Sequence, residues 1–160
     1  MRTVVADTSP LFYLLSIGHI DLLPRLFGKV FVSSAVHTEL CHPSAPALVR
    51  EWAAHVPGWI VVVSVETVDE AAFLPLGAGE RAAITLALSL PADLILIDER
   101  KGTQVALGKG FAVVGTLGVL ALASRTGLVD LADSFARLKR TNFRYRQEIM
   151  DLLLEQNAGE

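Results

Sequence analysis

The sequence predicts an α/β fold of three layers, in which a central, mainly parallel five-stranded sheet is flanked by helices. The predicted strands are short and continuously apolar, which is typical of strands buried on both faces. They alternate along the chain with stretches that carry helix signals, the pattern of a parallel sheet. The 160 residues suffice for one hydrophobic core, and no linker or repeat divides them. We therefore expect a single domain over residues 1–160.

The first strand ends at Ala6, and an acidic residue follows it directly. Ser9 is predicted to cap a helix over residues 10–16, with Pro10 at its first position, where the missing N–H costs nothing. Asp7 then lies at the carboxyl end of a strand, where open α/β sheets bind ligands. The alternative interpretation is that Asp7 serves only to cap the helix.

Glycine, proline and serine residues mark the later elements. Gly28 is expected to end the second helix. Ser33 or Ser34 is expected to cap the third, which ends before Pro43. The other strands are expected at 30–32, 59–65, 94–97 and 112–114. The other helices are expected at 21–27, 45–55, 80–90, 102–109 and 116–126, with two more within 131–154.

Four acidic residues are expected near one rim of this sheet. Asp7 and Asp98 each end a strand. Glu80 opens a helix after a glycine-rich turn, and Glu39 lies on the helix after the second strand. Taken singly, Glu80 is also explained by the helix dipole and Glu39 by a solvated helix face. Together, four carboxylates at one edge, without the usual zinc ligands, indicate a site for a hard cation.

Such a cluster is electrostatically unfavourable without a cation. Each pair of like charges at about 4 Å costs on the order of 4 kcal/mol at an effective dielectric near 20. Neutralising one acid, as in Asp98→Asn, is therefore expected to raise the melting temperature of the metal-free protein. Divalent metal is expected to raise the melting temperature of the wild type more than that of the variant.

The segments around these acids resemble the successive motifs of PIN-domain nucleases, a family that includes the VapC-like toxin ribonucleases. The motifs are Asp7-Thr8-Ser9, Val36-His37-Thr38-Glu39-Leu40, Gly77-Ala78-Gly79-Glu80 with Ala82-Ala83-Ile84, and Ile97-Asp98-Glu99-Arg100. A later segment, Gly115-Thr116-Leu117-Gly118-Val119-Leu120, is similar to a largely uncharacterised PIN-like branch. The resemblance covers the chain from about residue 3 to 150 and implies a Rossmann-like sheet.

The resemblance also implies an activity, which is hydrolysis of RNA by an endoribonuclease that depends on Mg²⁺ or Mn²⁺. Such proteins are often the toxin of a toxin–antitoxin pair, so a small antitoxin protein is an expected partner. The residues that match the metal-binding and catalytic acids of the family are Asp7, Glu39, Glu80 and Asp98. Two departures stand out: the family more usually has Asp where the helix carries Glu80, and a further acid of some members falls near Thr116. Glu99 is a candidate to replace that acid.

Three residues near the predicted site are candidates for substrate binding. Thr8 is placed to hydrogen-bond an acidic ligand or a metal-bound water, and Arg100 and Lys101 are placed to contact phosphate. Residues 135–146 hold five basic residues and no acid, with Phe143 and Tyr145 as candidates for stacking on bases. The alternative for this basic segment is a helix C-terminus that favours cations, followed by a solvated turn.

Two other functions remain open from the sequence. An aspartate-phosphorylated, phosphatase-like enzyme also begins with a motif like Asp7-Thr8-Ser9, although its chemistry requires a second Asp where Ser9 stands. A module that keeps the fold but cleaves nothing, and binds nucleic acid or protein, is the other alternative.

The composition bears on assembly and location. The chain is 52% hydrophobic, its mean hydropathy is +0.47, and no apolar run reaches the length of about 18 residues that a membrane span needs. We therefore expect no membrane partner but a homodimer, with residues 10–27 and 115–124 at its interface. A single cysteine, Cys41, excludes internal disulfides and favours the cytoplasm. The net charge of −3 argues only weakly against nucleic acid.

Overall fold

The computed structural model describes residues 2–66, 73 and 75–158. Five strands lie in these parts of the chain: β1 (Val4–Ala6), β2 (Val30–Ser33), β3 (Ile60–Val63), β4 (Leu94–Leu96) and β5 (Ala112–Val114). They form one sheet in the order β3-β2-β1-β4-β5, and every neighbouring pair is parallel. The predicted α/β fold with a five-stranded sheet is confirmed.

Helices follow the strands on both faces of the sheet. In the described ranges they are α1 (Thr8–Ser16), α2 (Leu22–Phe27), α3 (Ser34–Leu40), α4 (Ala47–Ala54), α5 (Ala78–Ser89), α6 (Arg100–Gly108), α7 (Thr116–Arg125), α8 (Leu131–Lys139) and α9 (Gln147–Ala158). Each expected helix is present, with ends shifted by a few residues. Ser33 caps α3 by accepting a hydrogen bond from the N–H of Val36, and Gly28 follows α2 with a positive φ of 75°, as C-cap glycines do.

The start of α1 differs from the prediction. The helix begins at Thr8, and the N-cap position belongs to Asp7 rather than to Ser9. Pro10 lies in the first turn instead of at its first position, which is tolerated because the N–H groups of a first turn have no partner within the helix. The chain therefore turns from strand into helix at Asp7 itself.

Successive residues of the central strands point into different cores. Val4 and Ala6 of β1 pack into one hydrophobic cluster with residues of α1, α3, α7 and α8, whereas Val5 packs into a second cluster with residues of α5 and α6. Both faces of the sheet are thus covered, which explains why the strands are apolar at every position.

The chain reverses direction across the sheet between β1 and β4. It runs outward from β1 to β2 and β3, and then returns to place β4 on the other side of β1. Ala6 is in register with Leu96, so the two strands end side by side. In open α/β sheets the crevice at such a reversal is the usual ligand site.

The segments expected at a dimer interface contribute largely to the core of the chain itself. Leu11 and Leu14 of α1 and Leu120 of α7 are fully buried in the same hydrophobic cluster. Their apolar surface is therefore not available to a second copy. Among the described residues, no helix has the length and apolar character that crossing a membrane requires.

Candidate active site

The side chain of Asp7 is buried at the carboxyl end of β1. Only 3% of the residue is exposed, and its backbone N–H donates to the carbonyl of Leu96, which fixes it beside the end of β4. Its side chain forms no helix-capping hydrogen bond, and the buried Oδ1 atom has no hydrogen-bond partner within the described ranges. Asp7 occupies the N-cap position of α1, but capping does not by itself explain why its side chain is buried. A buried carboxylate oxygen without a partner is costly unless a ligand satisfies it.

The surroundings of Asp7 strongly disfavour its ionised form. Burial is the largest cause that raises its pKa, to about 8, and the negative charge of Glu80 is the second. A hydrogen bond from the backbone N–H of Thr8 lowers the pKa, while the charges of Glu39 and Asp98 raise it further. All three other acids thus act on Asp7, so the four carboxylates belong to one electrostatic site.

Asp98, two residues beyond β4, is held by the start of α7. Its Oδ1 accepts the backbone N–H of Thr116 at 2.7 Å, and its Oδ2 accepts the hydroxyl of Thr116 at 2.6 Å. Ser9 also contributes a side-chain hydrogen bond. Burial raises the pKa of Asp98, and these hydrogen bonds oppose that rise. Thr116 is therefore the anchor of Asp98.

Glu39 approaches from α3 and meets the start of α5. The hydroxyl of Thr8 donates to its Oε2 at 2.6 Å. A Cβ atom at Gly79 would lie only 2.7 Å from its Oε1, so the absence of a side chain there makes room for the carboxylate. At this position the carboxylate also faces the positive end of the α5 dipole.

Glu80 lies in the first turn of α5, as predicted. Its Oε2 would be 2.9 Å from a Cβ atom at Gly77, and its Cγ would be 3.5 Å from one at Gly102. A Cβ atom at Gly115 would similarly lie 2.7 Å from Oδ1 of Asp98. Glycines therefore border the carboxylates on several sides and leave space around them.

The four acids line a single cleft of about 720 Å³ at the point where the sheet order reverses. No three His, Cys, Asp or Glu side chains in the part of the chain that the structure describes are grouped closely enough to hold a metal as they stand. Two of the four acids have hydrogen-bond partners of their own, Glu39 in Thr8 and Asp98 in Thr116. Mutual repulsion of the carboxylates favours such separate partners.

The chemistry of the donors nevertheless fits a hard divalent cation. All four side chains offer oxygen, which Mg²⁺ and Mn²⁺ prefer, and Asp7 offers an oxygen that lacks a partner in the described residues. Glu99, the candidate replacement for the missing acid, also lines the cleft. Its side chain accepts the N–H of Gly102 at 2.7 Å and so caps α6.

Positive charge reaches the cleft from two directions. Arg100, in the first turn of α6, lines it, whereas Lys101 does not. Arg144 also lines it, from the connection between α8 and α9. The sequence placed Arg144 only within a basic segment and did not single it out for the site.

Two aromatic residues of that segment have different environments. Phe143 was a candidate for stacking on bases; it is only 9% exposed and packs edge-to-face on Tyr13 with ring centroids 4.9 Å apart. Most of its surface is therefore occupied by packing, although the residue also lines the acidic cleft. Tyr145 is exposed. The hydroxyl of Tyr13 donates to Oδ1 of Asn142 at 2.8 Å, a contact between residues far apart in the sequence that no local motif signals.

Comparison with known proteins adds the family. A family model described as a PIN domain, DUF3368, matches residues 3–160. Neither a curated protein nor a solved structure matches the chain. The match spans nearly the whole chain, and the acidic motifs of the sequence meet at one cleft of the expected sheet. The chain therefore belongs to the PIN domain family.

Proposed function

We propose that this protein is a divalent-metal-dependent endoribonuclease that uses Mg²⁺ or Mn²⁺ to hydrolyse phosphodiester bonds of RNA. The observation that carries the proposal is Asp7, whose buried Oδ1 lacks a partner among the described residues while three further acids act on the same carboxyl group. Placing a buried charge without a partner is costly, and a bound cation relieves that cost. The family, which is one of nucleases, supports the same function.

The roles of the side chains follow from their positions. Asp7, Glu39, Glu80 and Asp98 would hold the cation. When bound, the cation would supply an activated water and neutralise charge on the leaving oxygen. Thr8 keeps Glu39 oriented through its hydroxyl, and Thr116 does the same for Asp98. Arg100 and Arg144, which both line the cleft, would bind the phosphate that is cleaved and its neighbour.

The test is cleavage of a single-stranded RNA by the purified protein with Mg²⁺ or Mn²⁺. We expect EDTA and Asp7→Asn each to abolish cleavage. Asp21→Asn is the matched control, because Asp21 is also a helix N-cap residue without a side-chain capping bond but is exposed. Wild-type cleavage by Asp7→Asn would overturn the proposed site. Metal-dependent RNA binding without cleavage would favour the non-catalytic module, and an acyl-phosphate trapped on Asp7 would favour the phosphatase.

We further propose that the nuclease acts in the cytoplasm as the toxin of a toxin–antitoxin pair, with a small antitoxin partner. This rests on the resemblance to toxin ribonucleases. Expression of the wild-type protein alone is expected to arrest growth of a bacterial host, and Asp7→Asn is expected to relieve the arrest. A short open reading frame beside its gene should encode a protein that restores growth; if neither effect occurs, the protein is not such a toxin.

The homodimer expected from the composition also remains a proposal. Sedimentation at micromolar concentration is expected to give twice the mass of the 17.2 kDa chain. A sedimenting species of monomer mass alone would contradict it.

A further inference from the structure

A second cleft lies next to the acidic one and differs from it in character. It is a groove of about 660 Å³ beside β5, with the apolar side chains of Leu107, Val113, Leu117 and Ile149 among those that line it. We call it the β5 groove. Its volume lies within the range of roughly 300–1,000 Å³ that is typical of sites for small ligands.

The β5 groove keeps large apolar side chains in contact with solvent. Leu107 on α6 is 55% exposed, and Ile149 on α9 is 39% exposed. β5 is the last strand of the sheet and pairs with β4 on one side. Grouped exposed apolar residues of this kind are typical of binding surfaces.

The two clefts are continuous. Asp98, Phe143 and Arg144 line both of them, so the segment that joins α8 to α9 forms their common wall. Tyr13 holds this wall through two contacts. Its ring packs on Phe143, and its hydroxyl donates a hydrogen bond to Asn142. Arg144 is thereby held between the acidic cleft and the β5 groove.

Aromatic and positive groups complete the β5 groove. Tyr145 lines it and is 41% exposed, and the ammonium group of Lys139 lies 5.5 Å from the centre of its ring. Arg146 also lines it. An apolar wall, an exposed aromatic ring and a basic rim are the features with which proteins bind single-stranded nucleic acids.

We propose that the β5 groove is a subsite for an unpaired nucleobase of the RNA substrate, next to the phosphate that is cleaved. The proposal rests on the proposed function and adds to it the place on this chain where a base of the substrate would lie. Arg144 contacts the backbone between the two clefts, and the adjacent base lies in the groove against Tyr145 and Leu107. A base in a duplex is stacked and paired, so it cannot enter without leaving the helix.

Two features favour RNA over a protein segment as the occupant. The groove is continuous with the cleft that would hold the phosphate, and residues 135–146, which include part of its rim, carry five basic residues and no acid. The backbone of RNA complements that charge, whereas an apolar helix of a partner would not need it.

The test is the affinity of the full-length protein for a fluorescein-labelled single-stranded RNA of about 10 nucleotides in EDTA, measured by fluorescence anisotropy. Tyr145→Ala is expected to weaken binding about 5- to 100-fold, because it removes a stacking surface, and Tyr145→Phe is expected to bind as the wild type does. Leu107→Gln is expected to weaken binding several-fold. Leu48→Gln is its matched control, since Leu48 is a leucine of α4 with a similar exposure of 59% that lines neither cleft.

A second probe separates stacking from a structural effect. On a strand of the same length whose sugars lack bases, wild type and Tyr145→Ala are expected to bind with equal affinity. Arg144→Gln is expected to weaken binding of both strands. It is also expected to reduce the slope of log K against log[salt] by about 0.7, the value for one phosphate contact with a single strand. The duplex form of the RNA is expected to bind more weakly than the single strand.

The outcomes separate this inference from the proposed function, because binding in EDTA needs no catalysis. If Tyr145→Ala and Leu107→Gln weaken binding of the single strand but no metal supports cleavage, the subsite stands and the nuclease proposal fails. If the wild type cleaves RNA but both variants bind it as the wild type does, the subsite is wrong. Unchanged RNA binding by both variants is also the result expected if the groove binds a protein segment and no RNA.

Discussion

The ends of β1 and β4 look alike in the sequence and differ in the structure. Each central strand is followed by an aspartate at the same rim of the sheet, and both carboxyl groups line one cleft. Asp98 accepts two hydrogen bonds from Thr116, and Ser9 contributes another. Asp7 is more deeply buried, and its Oδ1 is without a partner in the part of the chain that the structure describes.

The comparison separates two ways of keeping a carboxylate inside a protein. At the end of β4 the protein itself supplies the donors, so Asp98 also ties β4 to α7. At the end of β1 the protein supplies burial and like charge, which together hold the pKa of Asp7 at about 8. A group that its own protein destabilises is a candidate for function, because a ligand must satisfy it.

The largest expected effect is on the pH dependence of stability without metal. The folded-state pKa of Asp7 is raised from 3.8 to about 8, so the folded protein binds a proton more tightly than the unfolded chain does. Protonated Asp7 therefore contributes to the free energy of unfolding. This contribution is present in full below pH 3.8 and is lost as the pH rises toward 8, by up to about 5 kcal/mol. Urea unfolding in EDTA across this range measures it.

Asp7→Asn is expected to remove most of that pH dependence. Asp98→Asn is expected to remove less, because hydrogen bonds oppose the rise in the pKa of Asp98. If the free energy of unfolding depends on pH equally in the wild type and in Asp7→Asn, Asp7 is not the destabilised carboxyl group that distinguishes β1 from β4.

The next effect concerns cleavage, for which both aspartates are needed despite their different surroundings. Asp98→Asn is expected to lower the rate of metal-dependent RNA cleavage about 1,000-fold, equivalent to about 4 kcal/mol, because it removes a negative ligand. Asp93→Asn is the control, since Asp93 precedes β4 at the opposite rim and accepts the N–H of Thr3. Initial rates in Mg²⁺ measure the effect; an Asp98→Asn variant that is as active as the control would leave Asp98 a purely structural residue.

A smaller effect distinguishes the two aspartates by melting temperature in EDTA near neutral pH. Asp7→Asn is expected to raise the melting temperature, by the equivalent of up to about 4 kcal/mol, because the amide needs no proton to be neutral. Asp98→Asn is expected to gain less, since it gives up charge-assisted hydrogen bonds from Thr116 that contribute roughly 1.5–3 kcal/mol each. Charge repulsion alone predicts a stabilising effect of Asp98→Asn. Because Asp98 has hydrogen bonds to lose, we expect the larger stabilisation from Asp7→Asn instead. Equal or greater stabilisation by Asp98→Asn would contradict this.

The smallest effect is that of the anchor of Asp98. Thr116→Val keeps the shape of the side chain and removes the hydroxyl that lies 2.6 Å from Oδ2 of Asp98. We expect a loss of stability of about 1.5–3 kcal/mol, because a buried carboxylate oxygen loses its donor. Thr85→Val is the control, a buried threonine of α5 whose hydroxyl donates to a neutral carbonyl, that of Arg81. Denaturant unfolding measures both variants. If Thr85→Val lowers the free energy of unfolding as much as Thr116→Val does, the hydrogen bond to Asp98 contributes no more than one to a neutral carbonyl.

The sequence predicts the sheet well for a physical reason. Strands buried on both faces are apolar at every position, so β4 is expected at residues 94–97 and found, fully buried, at Leu94–Leu96. Helix ends are less predictable, because a cap depends on the backbone of the preceding loop. Ser33 caps α3 as expected, but Asp7 and not Ser9 precedes the first residue of α1.

The site could be predicted only in part. Asp7 and Asp98 meet at one cleft because the ends of neighbouring parallel strands share a rim, which follows from the topology. The hydrogen bonds of Asp98 depend on a residue 18 positions away, and the burial of Phe143 depends on Tyr13, at the other end of the chain. Such contacts arise from tertiary packing, and neither motif spacing nor periodicity encodes them. The placement of Arg144 between two clefts has the same origin.

The central claim is that Asp7 is a cation ligand, and calorimetric titration with Mn²⁺ near pH 7 tests it most directly. A pKa of about 8 leaves Asp7 mostly protonated at this pH, so a cation that binds its carboxylate must displace the proton. In two buffers of different ionisation enthalpy, the wild type is expected to release about one proton per ion bound. Asp7→Asn is expected to bind Mn²⁺ at least about 10-fold more weakly and to release none. Equal affinity in the two proteins, with no proton released by the wild type, would contradict the account.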